Sequence, residues 1–292
     1  MAGHPPWLRF QAYVVGLPKT GSTSLATVFG RYRSGHEWDL MDLVETGLQY
    51  RQGDLDDVDF WHATGRRLDP PSLEMDSATS HYLYADLLAE RFPKAVFVHS
   101  VRDVGGWVSS VLDMVLRKRL ARRLLDIPYS RWESQYLALM TEGRYDLDPT
   151  SVEDDSASLA PLMRYWAAHM SRMPTVLPAD RTLVVRTGDI RHRLDDLAAL
   201  AGVPASTLRD DLAHANRAPL TINRFSVFGD DEVQSAYDEH CSGIMAAMFP
   251  QEHAAWPISR PAASATDWDA YVAALEEWVA DAVERHGQGA AR

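Results

Sequence analysis

The sequence predicts an α/β fold, a parallel β-sheet flanked by helices, and three stretches carry that prediction. Tyr13-Val14-Val15 is an apolar run that ends in Gly16 and leads through a Pro-Lys-Thr-Gly turn into a helix opened by Ser22-Thr23-Ser24. Ala95 to Val101 is a β-branched and aromatic run of the kind buried on both faces of a parallel sheet. Arg181 to Arg186 has the same character and leads, past Thr187-Gly188-Asp189, into a helix over Leu194 to Ala201. Strands that alternate with helices build βαβ units, whose successive strands run parallel.

Composition narrows the function before any motif is read. At 292 residues with 46% hydrophobic and 24% charged residues, the chain fits one soluble domain over residues 1–292 with an ample core. Its 29 Lys plus Arg against 41 Asp plus Glu give a net charge of -12, which argues against nucleic acid as a partner. An anionic ligand then needs basic residues gathered locally. Cys241 is the single cysteine, so an intrachain disulfide and a cysteine metal cluster are excluded. Met1 to Arg9 lacks a signal pattern and no apolar run approaches membrane-spanning length, so a cytoplasmic protein without a membrane partner is expected.

The first strand-to-helix turn is where chemistry is expected. Backbone N–H groups at such a turn face outward and favour an anion, and Lys19 adds a full positive charge. Gly16 and Gly21 have the separation of a nucleotide triphosphatase loop, in which a lysine follows the second glycine. Here Ser22 holds that place and Lys19 precedes the glycine, which disfavours a nucleotide or nucleoside kinase.

The segment Pro18-Lys19-Thr20-Gly21-Ser22-Thr23 resembles the 5′-phosphosulfate loop of sulfotransferases that use 3′-phosphoadenosine 5′-phosphosulfate (PAPS). A second motif joins it. Arg102-Asp103 ends the strand over 95–101, and Ser110 stands eight positions after Arg102 in the following helix, similar to that family's 3′-phosphate site. Val104 replaces the family's proline, a mild departure because proline there only pre-sets the first helical turn. Arginine offers phosphate a planar fork of donors. The order Arg181 to Arg186, helix, Gly202-Val203-Pro204 extends the resemblance to about residue 205.

Between the two motifs lie the candidate acid/base groups. Gly35 to Asp39 reads as a short extended piece at the carboxyl edge of the sheet, on the side of the loop. Several sulfotransferases place their general base, a Glu, shortly after the loop helix, and Gly35-His36-Glu37-Trp38 matches that placement. His36 is the competing base, since an imidazole titrates near neutrality. Asp39 to Gly65 is acidic and aromatic and is expected to be mostly a solvated face. Leu73 to Asp76 reads as a strand ending in a carboxylate. The family's lysine and proline are missing from Asp76-Ser77-Ala78-Thr79, which leaves Asp76 to orient the acceptor, act as a second acid/base group, or cap a helix.

Tyr82 to Phe92 reads as an amphipathic helix, and Arg117, Lys118, Arg119, Arg122 and Arg123 make a basic cluster on a helix. Residues 115–160, with Tyr129, Trp132, Tyr136 and Tyr145, are expected to form a lid or acceptor-binding insertion. His214-Ala215-Asn216-Arg217 matches in placement the family's C-terminal basic loop, with Arg217 as a late contact to the nucleotide. Residues 231–286 are expected to be helical, and the last of these helices packs on the body or on a second subunit, as in a homodimer.

The resemblance implies a bacterial small-molecule type of sulfotransferase with a P-loop-like fold, moving a sulfuryl group from PAPS to a hydroxyl of a small-molecule, natural-product-like acceptor, with 3′-phosphoadenosine 5′-phosphate (PAP) as product and no metal. In it Lys19 stabilises the bridging oxygen, Thr20, Gly21, Ser22, Thr23 and Ser24 hold the 5′-phosphate, Arg102 and Ser110 hold the 3′-phosphate, and Glu37 takes the acceptor proton. Where many relatives stack an aromatic ring on adenine this chain has Ser24, so no stacking residue is named. A non-catalytic nucleotide-binding regulator is the remaining alternative.

Overall fold

A computed structural model describes residues 8–38, 40–69, 71–125, 131–141, 159–212 and 230–256, and the helical positions 270, 273, 274, 276, 277 and 280. Packing of the chain divides it into two compact units, Met1–Arg102 with Ala168–Arg217, and Asp103–Ala167 with Ala218–Arg292.

The first unit holds a five-stranded, wholly parallel sheet. Its strands are β1 (Ala12–Val15), β2 (Ser34–His36), β3 (Met75–Ser77), β4 (Val96–Val101) and β5 (Thr182–Arg186), in the order β2-β3-β1-β4-β5. β2 is parallel to β1 as the sequence leads one to expect, but β3 lies between them. This places the carboxyl ends of β1, β3 and β2 side by side, with Tyr13 beside Asp76 and Asp76 beside Gly35. The carboxyl end of β4 adjoins β1 on the other side, with Val15 level with His99.

The alternation of side chains along β1 and β4 builds both faces. Val14 and Val98 face a cluster made with α1 (Ser22–Val28) and α8 (Leu194–Ala201), including Leu25, Phe29, Ile190 and Leu197. On the other face the Tyr13 ring stacks on Phe92 and Phe97, each at 5.9 Å, and His81 meets its edge at 5.3 Å. Burial of such large side chains is the main source of stability in a sheet covered on both faces.

Two helices stand where the sequence suggests a solvated acidic stretch. These are α2 (Leu40–Gln52) and α3 (Asp57–Leu68). Asp56 caps α3 by accepting from the Asp59 amide at 2.8 Å. The acidic residues lie on exposed turns, while Val44, Leu48, Phe60 and Leu68 are buried. The helix expected over Tyr82 to Phe92 starts as a 3₁₀ turn, His81–Leu83, and continues as α4 (Ala85–Arg91).

The described part of the second unit is helical. Its elements are α5 (Val104–Leu125), α6 (Arg131–Thr141), the start of α7 (Leu159–Val176), α9 (Asp230–His240), α10 (Ser242–Met248) and α11 (Pro250–Ala254). Asp103 caps α5 by accepting from the Gly106 amide at 2.7 Å, which lets Val104 take the first helical position fully buried. Trp107, Trp166, Tyr237 and Phe249 are fully buried here, with Tyr237 stacked on Trp256 at 4.1 Å. The Cys241 thiol is buried and pushed up to about 12 by that burial, so it is inert. Of the expected insertion, the described parts are helical, and Tyr136 is buried. Tyr129, Tyr145 and the side chain of Trp132 lie outside the described residues. No described helix is long and apolar enough to cross a membrane.

Candidate active site

The loop after β1 is built by close approach to β4. A Cβ added to Gly16 would stand 2.1 Å from Ser100 Oγ, 2.6 Å from the Ser100 carbonyl oxygen and 2.6 Å from Thr20 Oγ1. Thr20 Oγ1 donates its single hydrogen to the Leu17 carbonyl at 2.7 Å, so Ser100 Oγ donates to Thr20 Oγ1 across 2.8 Å. The Thr20 amide closes the turn on the same carbonyl at 3.3 Å. Thr20 is therefore turned inward and fixes the loop.

Two further residues are held in the left-handed region. Gly21 precedes α1 at φ 100°, a left-handed conformation that favours glycine, and an added Cβ would meet only the tip of Ile190, at 2.7 Å. Lys19 has φ 70° and is half-buried. Arg102 Nη1 donates to the Lys19 carbonyl at 3.3 Å, which brings the strand-end arginine onto the loop that carries the lysine. From β5 the Thr187 hydroxyl reaches the Thr20 carbonyl at 2.8 Å and the Val101 carbonyl at 3.1 Å. It ties the loop to the end of β4.

On the other side of β1, the ends of β2 and β3 present the carboxylates. His36 Nε2 lies 3.1 Å from Ser22 Oγ and 3.0 Å from Thr23 Oγ1, linking β2 to the first turn of α1. Burial lowers its pKa from the ordinary value, with the Glu37 charge opposing, so the ring is neutral near pH 7. Glu37 follows β2 with φ 53°. Its amide donates to the Ser77 carbonyl at 2.8 Å, and its carboxylate accepts from Thr79 Oγ1 at 3.0 Å. Ser77 in turn donates to the Ser22 carbonyl at 2.8 Å.

Asp76 is buried, and both of its oxygens are engaged by Arg67 of α3, at 3.0 and 3.3 Å. His81 Nδ1 donates to the Val14 carbonyl at 3.0 Å and its Nε2 stands 3.6 Å from Asp76. Burial depresses the His81 pKa despite that carboxylate, which leaves Arg67 as the cation facing Asp76.

Lys19, Thr20, Gly21, Ser22, Thr23, Ser24, His36, Glu37, Asp76 and Arg102 thus lie at the carboxyl ends of the first unit's sheet. Ser22 and Ser24 are buried in the first turn of α1, and Thr23 is half-buried. Ser110 is half-buried on α5, in the second unit. Arg217 lies outside the described residues. Sequence reasoning missed Arg67, Thr79, Ser100 and Thr187 as site residues. Thr187 and Thr79 left traces, Thr187 directly after the strand ending at Arg186 and Thr79 in the Asp76-Ser77-Ala78-Thr79 stretch.

A family model described as a sulfotransferase domain matches residues 12–205, from the first residue of β1 to just beyond α8. The chain belongs to the sulfotransferase family, and its parallel sheet flanked by helices is an α/β sulfotransferase fold. Among solved structures, it is similar to the sulfotransferase STF9 from Mycobacterium avium, with 13% identity, a TM-score of 0.43, and coverage of 84% of this chain and 78% of that one. It is also similar to the sulfotransferase domain from the curacin biosynthetic pathway, with 13% identity, a TM-score of 0.37, and coverage of 79% and 96%. No curated protein matches it.

Proposed function

We propose that this sulfotransferase takes its sulfuryl group from PAPS and transfers it to a hydroxyl of a small-molecule acceptor, with Glu37 as general base. One observation carries the reading. Among the described residues, the non-glycine positions with positive φ are Lys19 and Glu37. Each such conformation costs on the order of 1–2 kcal/mol and persists where surrounding contacts enforce it, as at sites of chemistry. They are the two residues that the motifs single out for charge stabilisation and proton removal.

The residues fit a doubly phosphorylated adenosine. Gly16 and Gly21 keep the loop clear of side-chain bulk, so amides and hydroxyls of residues 21–24 supply donors for a 5′-phosphate. Arg102, on the adjoining strand end, supplies the fork for a 3′-phosphate. PAPS supplies the sulfuryl group and a bisphosphate leaving group. Lys19 steadies the negative charge that develops on the bridging oxygen as the sulfur–oxygen bond breaks. Glu37, oriented by Thr79, accepts the proton of the acceptor hydroxyl as its oxygen bonds to sulfur. His36 is a weaker base, since burial lowers its pKa and its Nε2 is engaged by Ser22 and Thr23, and Asp76 is occupied with Arg67. Trp38 is 59% exposed and gives an aromatic surface next in the chain to the base, which suits a phenolic or amphiphilic alcohol.

The test is calorimetry with PAP against ATP plus magnesium, followed by an acceptor screen with labelled PAPS. PAP should bind and ATP should not, and Glu37→Gln should retain PAP binding while losing transfer. A Glu37→Gln enzyme with near-normal rate would overturn the base assignment, and an ATP-selective protein would overturn the donor.

A further inference from the structure

We infer that Arg67 is a positioning residue for the reaction, a clamp that holds the Glu37–Trp38 backbone in its left-handed turn and uses Asp76 as its anchor. The inference rests on Glu37 being the base and goes further, giving roles to two residues outside the donor and proton steps.

The geometry is specific. One guanidinium serves two acceptors at once. Its Nε and Nη2 donate to the Trp38 carbonyl at 3.1 and 3.0 Å, while Nη1 and Nη2 donate to the Asp76 carboxylate at 3.0 and 3.3 Å. The Arg67 side chain is 11% exposed and that of Asp76 is 6% exposed, so solvent screens the pair little. The Trp38 carbonyl is the first acceptor beyond the strained residue, whose φ is 53°. Before it, the Glu37 amide is fixed on Ser77, and its carboxylate on Thr79.

The base is therefore gripped at its amide, at its carboxylate and at the next carbonyl. All three grips trace to one short stretch, Asp76 to Thr79, at the carboxyl end of β3. Arg67 supplies the third by spanning from Asp76 to Trp38. Without it, the left-handed turn loses the contact on its far side and relaxes toward ordinary backbone, carrying the carboxylate off line. Arginine suits this place better than lysine, because a lysine ammonium is a point donor that meets the carboxylate or the carbonyl but lacks a planar fork that meets both together. Asp76 accordingly acts through Arg67 and not on the acceptor.

Four full-length proteins carry the test: wild type, Arg67→Gln, Arg67→Lys and Arg67→Gln/Asp76→Asn, with Arg91→Gln as a control that removes an exposed ion pair to Asp69. Hydrogen exchange of the peptide over residues 34–38 should quicken about tenfold in Arg67→Gln and stay unchanged over β1 and in the control. PAP affinity by calorimetry should hold within about twofold, while the turnover of labelled PAPS with 2-naphthol should fall about 10²-fold at unchanged KM for PAPS, the size expected for a misplaced group. Arg67→Lys should recover part of that loss. The double variant should be about as slow as Arg67→Gln alone, because the two residues act as one unit.

Unchanged exchange over 34–38, a rate within about twofold of wild type, or losses that multiply in the double variant would overturn the clamp. A wild type that binds no PAP and transfers nothing would overturn the functional reading instead, and the exchange measurement would still decide whether Arg67 holds the turn.

Discussion

Gly16→Ala is the sharpest single probe of the loop, because its effect follows from three distances. The new methyl group would lie 2.1 Å from Ser100 Oγ, 2.6 Å from the Ser100 carbonyl oxygen and 2.6 Å from Thr20 Oγ1. A side-chain hydroxyl can rotate away, at the cost of the Ser100–Thr20 hydrogen bond, worth about 1 kcal/mol. The carbonyl oxygen cannot, since Ser100 is a β4 residue paired in register with Val185 of β5. Either β4 or the loop must retreat by roughly 1 Å to restore ordinary contact, and overpacking of that kind costs about 1–3 kcal/mol. Together the loss should be about 3 kcal/mol, read as a lower urea midpoint at unchanged slope. PAP affinity should fall with it, since the displaced segment carries Lys19 to Gly21. Ser100→Ala in the same chain should recover little, because the Ser100 carbonyl oxygen stays in place and the hydrogen bond to Thr20 is lost either way. A Gly16→Ala protein within about 0.5 kcal/mol of wild type, with PAP affinity intact, would refute the claim that loop and strand are pressed together.

Two further outcomes follow from other parts of the first unit. Thr187→Val keeps the shape but removes the hydroxyl that reaches the Thr20 and Val101 carbonyls, so about 1 kcal/mol of stability and part of the PAP affinity should be lost, with Thr187→Ser retaining both; equal behaviour of the Val and Ser proteins would refute the tie. His99 and His169 face each other in the core, Nε2 to Nε2 at 3.3 Å, and burial lowers His99 to about 4 and His169 well below the ordinary value. The unfolded chain takes up protons at these rings near pH 6.5 and the folded chain resists, so stability is full above that pH and falls as pH drops toward 4, by about 3 kcal/mol from His99 alone. Urea midpoints measured from pH 7.5 to 5 should show the decline, and His169→Phe should reduce its slope; a flat profile would refute it.

The strands and loop were legible because they rest on local patterns. Tyr13 to Gly21, Val96 to Arg102 and Thr182 to Asp189 each combine an apolar run with a turn at its carboxyl end, and the sheet uses them as read. The helices α2 and α3 were not, because their acidic residues dominate composition while Val44, Leu48 and Phe60 bury a face that only the packed structure reveals. Glu37 was singled out by its placement after the loop helix, but its left-handed backbone has no sequence signature, since a glycine would be the ordinary choice there. Arg67 was invisible for a different reason. Its partners are a main-chain carbonyl, which any residue supplies, and Asp76, whose pairing depends on where α3 crosses the strand ends.

The backbone angles at Lys19 and Glu37 bear on how this protein can be engineered. A library selected for heat resistance alone would collect glycine or asparagine at both positions, because those residues adopt positive φ at little cost. On the roles proposed for Lys19 and Glu37, the survivors would be sturdier but would not turn over. Selection on this scaffold must therefore score turnover and durability together, or hold those two codons fixed from the start.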